Sequence, residues 1–281
     1  MRGRGGLRRT NWPGKTNHAP DGVVKNRASG FRLQELQSII MSEFQLQTRA
    51  IKSNGFQWMN ADAYLFDIDG TLLITRDGVH RNALHQAMRE AYQVDTTIDG
   101  IAYHGKTDLG ILRVALERVG VSGERFEANL RAALEIVRRE VSANGHRVTP
   151  TVCSAIPDVL AELKAAGKLV GVASGNLESV GWLKVEAAGL REFFRFGCFT
   201  DHHENRADIF RQGVIEVQRR LGKSAAVCFI GDTPEDIKAA RLANSKIVAV
   251  CTGIFTADDL RHLEPDACVA SCAELLTNKP K

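Results

Sequence analysis

The sequence predicts an α/β protein, an open and mostly parallel sheet interrupted once by a block of helices. Three observations carry this. Apolar runs at residues 63–68, 168–173, 225–230 and 246–250 have the length and composition of buried strands, and the first three lead into helical patterns. Residues 80–144 show helical periodicity and no strand pattern, so they form a helical insert and do not continue the sheet. Asp67 and Asp232 close the first and third runs, and the carboxyl ends of strands are where an open α/β sheet binds its ligands.

Composition bounds what such a protein does. With 281 residues and 44% hydrophobic content the chain can bury one full core and at most a second small one. The formal charge of +4 is uneven. Residues 1–60 hold ten Arg or Lys against three acids, so the remaining body is near −3. A weakly acidic body argues against a nucleic-acid groove on the folded part and leaves that role only to the basic leader. Residues 1–58 are expected to be a disordered leader or the product of a start assigned too early, with Met41 or Met59 as the alternative first residue. Within them, residues 33–41 carry a short amphipathic helical pattern. Cys153, Cys198, Cys228, Cys251, Cys268 and Cys272 lack metal-ligand spacing and read as buried thiols of a reducing compartment. No apolar run approaches the ~20 residues of a membrane span, and none resembles a signal-peptide core. The expectation is a cytoplasmic monomer or homodimer.

The first strand pattern, residues 63–68, contains Asp67 and is followed by Asp69 and Gly70. An unpaired carboxylate inside an apolar run is costly, so Asp67 points to a metal or to catalysis before it points to a turn. Apolar faces then predict helices at 80–92, 107–119 and 123–141. The segment Gly100-Ile101-Ala102-Tyr103-His104-Gly105-Lys106-Thr107 matches the phosphate-loop pattern G-x-x-x-x-G-K-T, but polar residues 93–99 precede it where a buried strand is required. Residues 145–156 read as a return hinge. A helix at 157–166 follows, with Pro at its start and Gly just beyond its end. The strand at 168–173 delivers Ser174, Gly175 and Asn176 to its carboxyl end, and a helix at 177–188 leads to a short strand at 194–199. Asp201, His202, His203 and Glu204 invite a zinc reading, but adjacent His residues present both rings to one ion poorly, so a loop beside the site is preferred. Arg206 stands at the start of a helix reaching 221; residues 225–230 lead into Gly231-Asp232-Thr233-Pro234-Glu235-Asp236 and a further helix. The chain closes with a strand at 246–250, an edge strand at 266–269 and a helix at 272–276. Residues 59–76 and 155–281 thus make the core, and 77–154 a helical cap.

The sequence Asp67-x-Asp69-Gly70-Thr71, then Ser174-Gly175-Asn176, then Arg206, then Gly231-Asp232-x-x-x-Asp236, in this order over about residues 61–276, resembles the four motifs of the haloacid dehalogenase-like hydrolase superfamily. The likeness is to its phosphoglycolate phosphatase and β-phosphoglucomutase branch. The third motif is altered, with Arg206 where a Lys before Pro is usual. The resemblance implies a doubly wound α/β core with a helical cap, and a phosphatase acting on a small phosphorylated metabolite such as phosphoglycolate or a sugar phosphate. It implies Mg²⁺ held by Asp67, the Asp69 backbone, Asp232 and, less directly, Asp236. Asp67 would be the nucleophile, Asp69 the acid and base, and Ser174 and Arg206 the groups on the phosphoryl oxygens. Thr71, Gly175, Asn176 and the cap loop His104, Gly105, Lys106, Thr107 and Asp108 would contact substrate, with Thr107 or Asp108 also capping the next helix. Asp69 disfavours a dehalogenase. A phosphosugar mutase keeps the same acids and is the nearest rival; a nucleotide-binding phosphate loop at 100–107 is the alternative from another class.

Overall fold

Alternation of side chains along the first strand decides the architecture. In β1 (Ala63–Phe66) all four residues are buried. Tyr64 and Phe66 enter one apolar cluster while Ala63 and Leu65 enter another, as a strand covered on both faces requires. The computed structural model describes residues 57–277. It contains a six-stranded parallel sheet of order β5-β4-β1-β6-β7-β8, where β4 is Leu169–Ala173, β5 Phe196–Cys198, β6 Val227–Gly231, β7 Lys246–Val250 and β8 Ala267–Val269. On one face α4 (Ile156–Ala165), α5 (Glu178–Ala187) and α9 (Ala273–Thr277) contribute Leu160, Val185 and Leu275. On the other, α6 (Arg206–Leu221), α7 (Pro234–Leu242) and α8 (Ala257–Arg261) contribute Phe210, Ile237 and Leu260. The chain runs outward from β1 to β5 and then returns to β6, so the order reverses beside β1. Phe66 is in register with Ile230, and Asp67 and Asp232 therefore emerge side by side at the switch point.

Between β1 and α4 the chain forms a third apolar cluster from α1 (Val79–Tyr92), α2 (Asp108–Glu117) and α3 (Gly123–Ala143). Each start has a local cause. Gly78 adopts φ 74°, which turns the chain into α1, while Thr107 and Ser122 accept the amides of Gly110 and Arg125 at 3.0 and 3.2 Å. Leu177 and Val180 from the core join this cluster, so the insert is packed on the start of α5. The return hinge contains a feature that periodicity does not reveal. β2 (Leu73–Ile74) and β3 (Thr151–Val152) pair antiparallel where the chain leaves and re-enters the sheet layer. Two residues per strand are too few to leave a pattern.

Several expectations are corrected in detail. The first strand ends at Phe66, so Asp67 lies just past the ladder and not inside it. Cys251 and Cys268 are half-buried, unlike the other four cysteines. Among the described residues no helix is long and apolar enough to cross a membrane. The basic leader and its amphipathic pattern lie outside the described residues, apart from residues 57 and 58. Trp58 does not behave as leader. It is buried, its indole N–H donates to the Leu275 carbonyl at 3.0 Å, and its ring meets Tyr64 edge-on at 5.7 Å. Trp58→Ala should therefore cost about 3 kcal/mol, read from urea unfolding of the full chain, and a chain started at Met59 should be destabilised to the same degree.

Candidate active site

Three buried carboxylates meet one buried guanidinium at the switch point. Oxygens of Asp67, Asp232 and Asp236 lie within 4.8 Å of one another. Asp67 follows β1, Asp232 follows β6, and Asp236 sits in the first turn of α7, where a capping box with Thr233 fixes it. Arg206, the first residue of α6, directs Nη2 to Asp67 Oδ2 at 2.8 Å and to Asp236 Oδ1 at 2.6 Å, while its Nε donates to the same Asp236 oxygen at 2.7 Å. Burial pushes the Asp67 carboxyl up to about 6, against the pull of Arg206. Burial, then Asp236 and Asp67, push Asp232 up to about 8. Arg206 titrates above its ordinary range: burial alone would lower it, but Asp236 and Asp67 outweigh that.

Three acids against one base leave an excess of negative charge, and hard oxygen donors of this kind suit a divalent cation such as Mg²⁺. The three residues do not offer themselves equally. Both oxygens of Asp236 already accept hydrogen bonds, Oδ2 from Thr233 and Oδ1 from Arg206, while its carboxylate stays grouped with those of Asp67 and Asp232. Asp236 thereby holds Arg206. Asp232 accepts a 3.0 Å hydrogen bond from Thr71 Oγ1, so Thr71, expected on the substrate, orients this acid. Asp67 and Asp232 come from the ends of neighbouring strands, and with Asp236 they are the group among the described residues that could hold an ion.

Asp69 has a different environment. It is half-exposed, and its Oδ2 takes Nζ of Lys184 at 2.6 Å and Nδ2 of Asn176 at 2.8 Å. Burial would raise its carboxyl, but Lys184 and Asn176 hold it below the ordinary range. Asn176 also donates to Ser174 Oγ at 2.9 Å and accepts from Lys184 at 2.8 Å. Its amide thus links Asp69, Ser174 and Lys184. Ser174, at the end of β4, is buried beside it. Lys184 was not legible in sequence, because it sits in the middle of α5, away from any strand end. The one available signal was a lysine inside an otherwise apolar helical window.

The loop expected to meet substrate divides in two. His104 and Lys106 are exposed, and His104 lies close enough to Asp69 for that charge to raise its titration, although burial lowers it overall. Thr107 and Asp108 are buried and serve the fold: Thr107 caps α2 and donates to the Glu204 carbonyl at 2.5 Å, while Asp108 accepts the Leu177 amide at 2.8 Å. The Asp108 amide in turn donates to the Gly175 carbonyl at 2.8 Å. A Cβ on Gly175 would stand 2.6 Å from the Lys106 carbonyl, so only glycine admits this approach. Gly105, at φ 79°, offers its carbonyl to Arg206 Nη1 at 3.2 Å. No strand precedes residues 100–107 and the helix begins only after Thr107, so the phosphate-loop context is missing. The acid and histidine cluster gathers no ligand group among the described residues. Asp201 pairs with Arg138 at 2.8 Å and Glu204 with Arg113 at 2.5 Å, both arginines being on the insert.

The chain is similar to known proteins in sequence and in fold. The chain is 26% identical over 216 residues to "Probable phosphatase IndB" of Dickeya dadantii (strain 3937), covering 75% of this chain and 90% of that one. In fold it is similar to CbbY from Rhodobacter sphaeroides in complex with phosphate, at TM-score 0.59 and 21% identity, covering 76% and 96% of the two chains. It is similar also to a predicted phosphoglycolate phosphatase from Haemophilus somnus 129pt, at TM-score 0.58 and 15% identity, covering 77% and 97%. Residues 64–250 match the profile of the haloacid dehalogenase-like hydrolases, a span containing every acid and base of the site, and the chain belongs to that family.

Proposed function

We propose that the protein is a Mg²⁺-dependent phosphatase that hydrolyses a small phosphate monoester through an aspartyl-phosphate on Asp67. The observation that carries this reading is the contrast between two carboxylates one residue apart. Asp67 is buried against Arg206, whereas Asp69 is half-exposed and bound by Lys184. Two acids held by separate bases, one at the candidate metal site and one beside it on the Lys184 side, can take separate nucleophilic and proton-transfer parts. When bound, Mg²⁺ would be held by Asp67 and Asp232 and would neutralise the repulsion between a carboxylate and a phosphate dianion.

The residues then divide the work. Asp67 attacks phosphorus, displacing the alcohol, and Asp69 gives that alcohol its proton. Asp69 next takes a proton from the water that cleaves the acyl phosphate and frees Asp67. Arg206 and Ser174 meet the phosphoryl oxygens as charge moves onto them. The insert acts as a cap over this chemistry, with His104 and Lys106 as its exposed polar groups facing substrate. A positive Lys106 suits an anionic metabolite, and the relatives support the class: one CbbY structure is described in complex with phosphate and another with xylulose-(1,5)-bisphosphate.

A phosphosugar mutase is the second reading, favoured by the close seat of the 105–108 loop on Gly175, since a mutase must keep water from the aspartyl-phosphate. Release of inorganic phosphate from sugar monophosphates, with no isomerised sugar phosphate formed, decides for the phosphatase.

Asp67→Asn should abolish phosphate release from 4-nitrophenyl phosphate while the chain stays folded, and Asp69→Asn should slow its turnover by about 10²–10⁴-fold through loss of the base that activates water. Full turnover in either variant would remove the mechanism. Chelation with EDTA should eliminate activity, and Mg²⁺ should restore it; activity that persists after exhaustive chelation would exclude the metal.

A further inference from the structure

Lys184 is nearly inaccessible, with 5% of its side chain exposed. A buried ammonium is stable only when its three N–H groups are all matched. Here they are, by Asp69 Oδ2 at 2.6 Å, Asn176 Oδ1 at 2.8 Å and His80 Nδ1 at 3.2 Å. Because the ammonium can only donate, His80 Nδ1 accepts, and the ring proton belongs on Nε2. That atom lies 3.1 Å from Asp108 Oδ2, close enough for charge attraction though not aligned as a hydrogen bond. The same Asp108 oxygen accepts the Leu177 amide from the core.

The series Asp69, Lys184, His80, Asp108 therefore joins the half-exposed acid of the site to the insert at two places. His80 is in the first turn of α1 and Asp108 is the first residue of α2. Both helix starts must be seated on the core for the series to be complete. Lys184 and Asn176 engage Oδ2 of Asp69, whereas Oδ1 has only a long contact, 3.4 Å, from Thr75 Oγ1.

We propose that Lys184 is a positioning residue through which the seated insert sets Asp69, fixing its Oδ2 and leaving Oδ1 as the atom that exchanges a proton with the leaving group. This rests on the reading of Asp69 as acid and base. Without His80 the third N–H of Lys184 has no acceptor, and the ammonium moves to find one. Proton transfer by Asp69 is then tied to the docked insert by a defined set of contacts, and not merely by water exclusion.

The test exploits leaving-group chemistry. A nitrophenolate leaves with little help, while phenolate and methoxyphenolate need a proton in the transition state. Lys184→Met and His80→Ala are compared with Asp69→Asn over aryl phosphates from 4-nitrophenyl to 4-methoxyphenyl, with kcat/KM measured for each. Both variants should lose about tenfold more on the poor leaving group than on the good one, in the direction of Asp69→Asn. Adding Lys184→Met to Asp69→Asn should cost no further selectivity. Equal losses across the series in both variants, with Asp69→Asn selective, would overturn the proposal and make Lys184 a structural residue. A non-selective Asp69→Asn would instead sink the acid-base reading on which it rests. His80 is less buried than Lys184, so His80→Ala decides the matter if Lys184→Met fails to fold.

Discussion

One buried guanidinium facing three buried carboxylates is the constraint on which the rest of the structure depends. Desolvating four charged groups together is tolerable only when each is held at a fixed distance from an opposite charge or a hydrogen-bond donor. The fold supplies those distances with rigid elements. The parallel register of β1 and β6 brings Asp67 beside Asp232, and the capping box of α7 orients Asp236. The amino end of α6 then presents Arg206 to both Asp67 and Asp236. The residual negative charge is what a divalent cation and a phosphate would exploit together. Removing Arg206 would leave the acids uncompensated, so stability and function are bound to the same side chain.

The insert meets this centre through contacts of unequal value. Arg113 with Glu204 and Arg138 with Asp201 are partly exposed pairs. Each is worth at most about 1 kcal/mol and is weakened by salt. The buried bonds from Asp108 to Leu177 and Gly175 are different, because breaking them strands polar groups in an apolar setting. The seat of the insert therefore depends on Asp108 and on the missing Cβ of Gly175 more than on the ion pairs at its rim. These buried contacts converge on the loop that follows β4 and so lie beside Ser174 and Asn176.

The apolar runs at 63–66, 169–173, 227–231 and 246–250 were legible because strands covered on both faces must be apolar throughout. The three insert helices were legible because their apolar faces recur every three or four residues. The strand pair at 73–74 and 151–152 was not, since two residues carry no period. Among the site residues, those at strand ends announced themselves by position. Lys184 did not, because its role comes from a helix face meeting Asp69 across 115 residues of chain.

The sequence by itself determined the order of strands and helices, the acids at the ends of β1 and β6, and the family to which their spacing points. Those features follow from local rules: side-chain period, backbone freedom at glycine, and the cost of a carboxylate in an apolar run. Only the tertiary structure decided which acid each base serves. Arg206 went to Asp67 and Asp236, Lys184 to Asp69, and Thr71, Asn176 and Asp108 took the hydrogen bonds to Asp232, Asp69 and the Leu177 amide. Pairings of that kind depend on how elements distant in sequence pack, and on which polar atoms burial forces together.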